Sequence, residues 1–274
     1  RALAHQLGSD RVIAPQQPGV HVFDRVEVST LRPFIDWGPF FQAWGLAGAF
    51  PRILEDEVVG VEARKVLVDA EVLLDRWEAD ARIRACAVAG LFPVSKVGPE
   101  SLAVGDAGLR FEFLRQQLPQ RDGVQRSLAD FVHEADHIGC FATGVHGVEA
   151  LADEAAAVGD DYASILAKAV GDRLAEALAE WLHREVRTVL WGYAADEVLS
   201  PNELIRERYQ GIRPAPGYPA CPDHEDKRAI WSLLEVESRL GMRLTETLAM
   251  TPAAAVSGYY FAHPDARYFA AGLV

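Results

Sequence analysis

The stretch DYASILAKAVGDRLAEALAEWLHREVRTVL, Asp161 to Leu190, predicts the element around which the rest of the chain folds. Apolar residues recur in it at every fourth position, so they share one face of a helix of about eight turns. Asp160 and Asp161 suit the start of this helix, because their carboxylates can accept hydrogen bonds from free amide groups in its first turn. The face predicted to be core consists of Tyr162, Leu166, Val170, Leu174, Leu178, Leu182, Val186 and Leu190.

A second face of the same helix is acidic. Asp172, Glu176 and Glu180 follow one another at intervals of one turn. Like charges at this spacing repel each other by a few tenths of a kcal/mol on an exposed helix, and neighbouring arginines can relieve the repulsion. From the pattern alone, such a row is interpreted as a solvated face.

Segments on both sides of this helix show helix and strand patterns. Helical spacing of apolar residues predicts a long amphipathic helix over 52–77 and a shorter one over 225–241, which ends at Gly241. Buried or alternating runs predict strands. The strand candidates are 85–94, 109–117, 137–145 and two runs within 253–274, on either side of a turn at His263 to Asp265.

The order of these elements predicts the fold class. Strands and helices do not alternate strictly, and no GxGxxG motif follows a strand, which argues against a Rossmann domain. We therefore expect an α+β fold with a mainly antiparallel, twisted sheet and long flanking helices. Residues 1 to about 30 contain Pro15 and Pro18 and are predicted to be an extended arm or linker.

Composition limits the possible functions. The chain has 274 residues, of which 50% are hydrophobic and 24% charged, as is usual for a globular protein. Its net charge of −13 argues against nucleic-acid binding, which needs clustered Lys and Arg, and no apolar run approaches the roughly 20 residues that cross a bilayer. The three cysteines are widely separated and no CxxC or HExxH motif occurs, so we expect a reducing cytoplasmic location and no metal site.

A proline-rich segment, YQGIRPAPGYPACPDH, extends from Tyr209 to His224. Its four prolines and two glycines exclude regular helix and central strand. A loop stiffened in this way can hold side chains such as Arg213 and Tyr218 in fixed positions. Taken by itself, the pattern is also that of a rigid connector.

Four segments together resemble one protein family. FIDWGPFF, VGDRLAEALAEW, NELIRERYQGIRPAPGYPACPDH and VSGYYFAHPDARYF are similar to segments of the activation domain of cobalamin-dependent methionine synthase, which binds S-adenosylmethionine. The resemblance runs from Ser29 to the last residue, and the QGIRPAPGYPACP block is its most specific part. It implies that 1–28 are a linker or N-terminal arm and that 29–274 are the S-adenosylmethionine-binding domain.

The resemblance also implies a binding site. Arg213 matches the family residue that pairs with the ligand carboxylate, for which a planar guanidinium with two parallel donors is suited. Ala215 lies where the backbone of the family contacts the adenosyl group, and Tyr218 matches a tyrosine near the sulfonium. Asp36 matches the aspartate that binds polar groups of the ligand, and Glu176 matches a helix glutamate that lines the groove.

An aromatic pair completes this implied site. Tyr268 and Phe269 match residues that flank the nucleoside, although many relatives have a second tyrosine where this chain has Phe269, so a hydroxyl contact is missing there. The residue patterns also allow structural roles. Asp36 can be a turn or cap residue before Trp37, and aromatic residues such as Tyr268 and Phe269 are often core.

The family implies a function within a larger enzyme. Methionine synthase is a methyltransferase that makes methionine from homocysteine, with cobalamin on a separate domain and zinc only in other domains. When its cobalamin is oxidised, flavodoxin or a flavoprotein reductase supplies an electron, and the activation domain presents the methyl group of S-adenosylmethionine. The protein then orients the ligand, and no residue is expected to be a catalytic nucleophile, acid or base.

Two departures from the family bear on this expectation. The chain lacks the terminal helix that relatives carry, and the loop after LFPVSKVG is shorter. Modules for homocysteine, folate and cobalamin do not fit into 274 residues, so we expect either an excised fragment or a freestanding module. The fragment is favoured, and we expect it not to be active alone. Its expected partners are the cobalamin domain and the flavoprotein, with neither nucleic acid nor membrane. The alternative is a non-catalytic module that binds S-adenosylmethionine or caps a corrinoid protein.

Overall fold

The computed structural model describes residues 11–105, 108–118 and 120–272. Within these ranges the chain forms a mixed helix and strand domain with an antiparallel six-stranded sheet and a separate two-stranded ribbon. The strands are β1 Gly19–Val26, β2 Arg84–Lys96, β3 Ser101–Val104, β4 Leu109–Glu112, β5 Ala135–His146, β6 Arg243–Leu244, β7 Met250–Thr251 and β8 Ala255–Tyr260. The helices are α1 Val28–Leu31, α2 Gly38–Ala43, α3 Gly60–Ala79, α4 Val148–Ala157, α5 Asp161–Glu185, α6 Pro201–Ile205, α7 Asp226–Leu234 and α8 Val236–Leu240.

Two long strands form the centre of the sheet. β5 pairs with β2 over its whole length, from Arg84 opposite His146 to Ser95 opposite Ala135. The strand order is β4-β3-β2-β5-β8, and β1 pairs with the first half of β2 while β3 pairs with its end. Every pairing is antiparallel, so the predicted α+β fold class is confirmed.

Helices cover both faces of this sheet, and the side chains of β2 alternate between the two cores. Ala87 and Leu91 face the core that contains α3 and α5, whereas Cys86 and Val88 face a second core with α7 and α8. Alternation of side chains along a strand produces this division. Because both faces are covered, the central strands are apolar on both sides, as the continuous run in β2 predicted.

The long helix forms as predicted. Asp160 caps α5, since its Oδ1 accepts a hydrogen bond from the amide of Ala163 at 2.9 Å, and the chain continues beyond α5 as a π-helical turn, Val186–Leu190. The predicted core face is buried except for Tyr162, which is 38% exposed. A strict four-residue repeat drifts by about 40° per step around an α-helix, so its first residue lies off the core face.

Two predicted elements differ in detail from the structure. The first long helix begins at Gly60 and not at residue 52, because Asp56 Oδ1 accepts hydrogen bonds from the amides of Val58 and Val59 and so forms a turn before it. The helix predicted over 225–241 is two helices, α7 and α8. They meet at Glu235, whose φ of +50° interrupts the helix, and α8 ends at Gly241 as predicted.

The structure also changes the interpretation of both ends of the described chain. Gly19–Val26 is extended, as predicted, but it is hydrogen-bonded to β2 as an edge strand and is not a free arm. The second strand-like run near the end is wrong over 266–272, which is irregular, and its last two residues lie outside the described ranges. In the described ranges, every helix is too short or too polar to cross a bilayer.

Candidate functional site

The proline-rich loop lies against the edge of the sheet formed by β8 and the residue that follows it. Ile212 and Phe261 exchange two backbone hydrogen bonds of 3.0 Å, and the carbonyl of Pro214 accepts one of 2.9 Å from the amide of Tyr259. A Cβ atom on Gly258 would lie 2.5 Å from the carbonyl oxygen of Pro214. Glycine at this position therefore allows the loop to approach the strand.

A tight turn shapes the second half of the loop. The amide of Gly217, at a φ of +94°, donates to the carbonyl of Cys221 at 2.8 Å, and the amide of Cys221 donates to the carbonyl of Tyr218 at 2.9 Å. The amide of Tyr218 donates in turn to the carbonyl of Ala215 at 3.2 Å. These bonds hold Tyr218 outward, where it is 64% exposed. The segment is therefore a loop with a defined conformation, as its prolines and glycines predicted.

Six of the seven predicted site residues line one groove, with a volume of about 540 Å³. They are Glu176, Arg213, Ala215, Tyr218, Tyr268 and Phe269. The seventh, Asp36, lines an adjoining hollow of about 250 Å³, and Glu176, Glu207 and Arg213 line both spaces. Their volumes suit a small-molecule ligand.

Arg213 lies where the groove and the hollow meet. Its Nη2 donates to Glu180 Oε2 at 2.8 Å, and its Nη1 lies 3.9 Å from Glu176 Oε2. Its Nε is buried and has no acceptor among the described residues. Burial lowers the pKa of the guanidinium, but the charge of Glu180 and smaller effects of Tyr209, Tyr268 and Glu176 outweigh this, and the pKa is raised overall. Arg213 is therefore a fixed cation with donor capacity left for a ligand.

The aromatic pair lies beside Arg213. Tyr268 accepts a hydrogen bond through its hydroxyl from the amide of Arg213 at 3.1 Å, and burial raises its pKa. Phe269 is half-buried and packs against Phe131, with ring centroids 6.2 Å apart. Phe269 thus has a core contact as well as a place on the groove wall, and an apolar ring suits both.

Asp36 has the turn role that the sequence allowed, and its position leaves the predicted ligand-binding role open to test. Its Oδ1 accepts a hydrogen bond from the amide of Gly38 at 2.9 Å and so shapes the turn that leads into α2. The same half-buried carboxylate lines the hollow beside Arg213. The turn fixes Asp36 at the wall of a possible ligand site.

Two acidic residues of the site escaped the sequence prediction. Glu180 was assigned only to the acidic row, yet it is buried and hydrogen-bonded to Arg213. Glu180 lies one helical turn from Glu176, and this spacing could have placed it on the same face of α5 as the predicted site residue. Glu207 has a left-handed φ of +52°, and burial raises its pKa while the charge of Arg213 lowers it. No sequence pattern indicated its place at the groove.

Together, fold and site define a class of protein, an α+β domain with a ligand-sized groove between a long helix and a proline-rich loop. A family model described as "Vitamin B12 dependent methionine synthase, activation domain" matches residues 27–274, and the chain belongs to this family. It is also similar to a crystal structure of the MetH reactivation domain bound to AdoHcy, with a TM-score of 0.92 and 48% identity. That match covers 96% of this chain and 84% of the other. The resemblance stated from the sequence is confirmed.

Proposed function

We propose that this chain binds S-adenosylmethionine in the groove and presents its methyl group for the reductive reactivation of cobalamin-dependent methionine synthase. The observation that carries the proposal is Arg213, a half-buried cation that lines both the groove and the hollow at their junction. The similarity to a reactivation domain with AdoHcy bound supports the same ligand class.

The charges of the site suit this ligand. S-adenosylmethionine carries a carboxylate, an ammonium and a sulfonium, so it is a cation overall. Four carboxylates and two guanidiniums line the two spaces together. They are Asp36, Glu176, Glu180, Glu207, Arg173 and Arg213. A net negative site with one buried guanidinium can bind a cationic ligand and orient its single carboxylate.

Each predicted residue then has a proposed role. Arg213 binds the carboxylate, while Glu176 and Asp36 face the positive groups or the ribose hydroxyls. The backbone at Ala215 and the ring of Tyr268 contact the adenosyl group, with Phe269 beside them.

Tyr218, exposed at the mouth of the groove, lies near the sulfonium in this proposal. When bound, S-adenosylmethionine supplies an activated methyl group. The residues of this chain orient the ligand and leave that methyl group accessible, and none needs to act as nucleophile or base.

A calorimetric titration of the chain with S-adenosylmethionine tests the binding. We expect a dissociation constant in the micromolar range, about −8 kcal/mol, which is usual for a partly open groove with a few charged anchors. Absence of both heat and thermal shift at millimolar ligand would contradict the proposal.

A second experiment separates reactivation from the alternative of a non-catalytic binding or corrinoid-capping module. The cobalamin domain of methionine synthase is added in trans with a reducing flavoprotein, and methylcobalamin is followed by its absorbance. Reactivation predicts methylation that depends on this chain and on S-adenosylmethionine. Ligand binding without methylation favours the non-catalytic module.

A further inference from the structure

A chain of buried charges extends behind Arg213, away from the groove. Arg187 is fully buried, and its Nε and Nη2 donate to Glu197 at 2.8 and 2.7 Å. On its other side, Arg187 Nη1 lies 3.7 Å from Glu180 Oε1. The other oxygen of Glu180 accepts the 2.8 Å hydrogen bond from Arg213. Charges of alternating sign therefore connect Glu197, through Arg187 and Glu180, to the ligand side of the loop.

This arrangement calls for an explanation other than stability. Buried ion pairs lose much of their Coulomb energy to desolvation, and apolar residues of similar volume are often equally stable. The ion pairs of this chain instead fix the positions of its side chains. Arg187 also lies 4.1 Å below the ring of Tyr209, at the start of the loop that carries Arg213. The π-helical turn, the segment with Glu197 and the loop thus meet at one guanidinium.

The position of Arg213 depends on its carboxylate neighbours. Glu176 is more exposed than Glu180 and lies 3.9 Å from Nη1, so it can compete for the guanidinium. Glu180 accepts a hydrogen bond from Nη2 at 2.8 Å, whereas the contact of Nη1 with Glu176 is longer, at 3.9 Å. Without the charge of Glu180, we expect Arg213 to turn to Glu176, and the ligand carboxylate to lose its partner.

We propose that Glu180, held in place by Arg187 and Glu197, is the positioning residue that directs Arg213 toward the carboxylate of the ligand. The proposal rests on S-adenosylmethionine binding in the groove. It assigns to these buried residues the preference for a ligand that carries an α-carboxylate. Glu197 and Arg187 act at a distance, since neither lines the groove or the hollow.

The test compares two ligands that differ in this one group. S-adenosylmethionine and decarboxylated S-adenosylmethionine are titrated into the wild type and into Glu180→Gln. We expect the variant to bind S-adenosylmethionine about tenfold more weakly and to lose clearly less affinity for the decarboxylated ligand, for which only the negative charge of Glu180 at the wall of the hollow is missing. In an Arg213→Ala background, Glu180→Gln should have little further effect, because both residues act through the same contact.

A distant variant and a matched control complete the experiment. Glu197→Gln should lose less affinity than Glu180→Gln, and again mainly for S-adenosylmethionine. It also tests the proposal if Glu180→Gln does not fold. Glu185→Gln changes a glutamate on the same helix, outside the groove and the hollow, and should bind both ligands like the wild type.

Three outcomes are decisive. A wild type that does not bind S-adenosylmethionine contradicts the proposed function itself. If the wild type binds S-adenosylmethionine, and Glu180→Gln and Glu197→Gln bind it equally well or more tightly, the positioning role is wrong while the proposed function stands. Equal weakening of both ligands would show a general structural role and would also overturn the inference.

Discussion

In the proposed function, Arg213 is the side chain that recognises the carboxylate of the ligand. The side chain of Arg213 is 18% exposed, its Nη2 donates to Glu180, and its buried Nε has no acceptor among the described residues. A planar guanidinium can form two parallel hydrogen bonds with a carboxylate, whereas the ammonium of lysine is a point charge. Substitution of Arg213 by alanine or by lysine therefore distinguishes the contribution of its charge to binding from that of its planar shape.

We expect Arg213→Ala to weaken S-adenosylmethionine binding by about 2 kcal/mol or more, and Arg213→Lys to recover only part of that loss. Calorimetric titration measures both changes, and thermal unfolding checks that the fold survives. Arg228→Ala is the matched control, since Arg228 pairs with Glu225 on the surface outside the groove and the hollow. If both Arg213 variants bind like the wild type with unchanged melting, Arg213 is a structural loop residue.

At the scale of elements, the site depends on the contact between the loop and the sheet edge at β8. Gly258 lies at this contact, where a Cβ would come within 2.5 Å of the carbonyl oxygen of Pro214. We expect Gly258→Ala to displace the loop, lower the free energy of unfolding by about 1–3 kcal/mol and weaken ligand binding.

Chemical denaturation and ligand titration measure the two effects of Gly258→Ala. Gly272→Ala is the control, because a Cβ at Gly272 would have no neighbour within 4 Å among the described residues, and its unfolding should match that of the wild type. Unchanged binding and stability in Gly258→Ala would mean that loop and strand can separate without cost.

The sequence predicted those elements whose signals are local. The cap at Asp160, the buried ridge of α5 and the end of α8 at Gly241 follow from hydrogen bonding and helical spacing alone. The break between α7 and α8 occurs at Glu235, where no glycine or proline in the sequence indicates it. β3 is four residues long and pairs with β2 through only three of them, too short a run for alternation to be visible.

The sequence pattern predicted less of the candidate site than of the fold. Arg213 and Tyr218 belong to a loop whose prolines mark it as shaped, but Asp36, Glu176 and Tyr268 look like ordinary turn, surface and core residues in isolation. Only the resemblance to a family brought them together. Glu180 was missed because its burial arises from tertiary packing around Arg213, and Glu207 was missed because only the tertiary fold places it beside the groove.

At the scale of the whole molecule, His183 links stability to pH. It is fully buried and stacks on Tyr260, with ring centroids 5.1 Å apart. Burial, together with the charges of Arg187 and Arg213, lowers the pKa of His183 well below its usual value near 6.5. The folded protein therefore keeps His183 neutral, while the unfolded chain binds a proton as the pH falls below 6.5.

Stability should accordingly fall as the pH drops from 7.5 toward 5.5, because the unfolded state gains protons that the folded state does not bind. The contribution of His183 reaches at most about 1.4 kcal/mol per pH unit. Urea denaturation at several pH values measures the slope, and His183→Gln should make it shallower whatever its effect on stability at pH 7.5. The same slope in variant and wild type would contradict this assignment.

One wall of the groove is formed by residues 266–272, which belong to no helix or strand. Two hydrogen bonds tie this wall to the loop, from the amide of Arg213 to Tyr268 and from the amide of Ala271 to the carbonyl of Pro219. Detachment of such a segment requires far less free energy than unfolding of the sheet or of α5. If the proposed ligand stacks on Tyr268, we expect it to leave by local fraying of this segment, so that its residence time depends on these few contacts more than on the global stability of the domain.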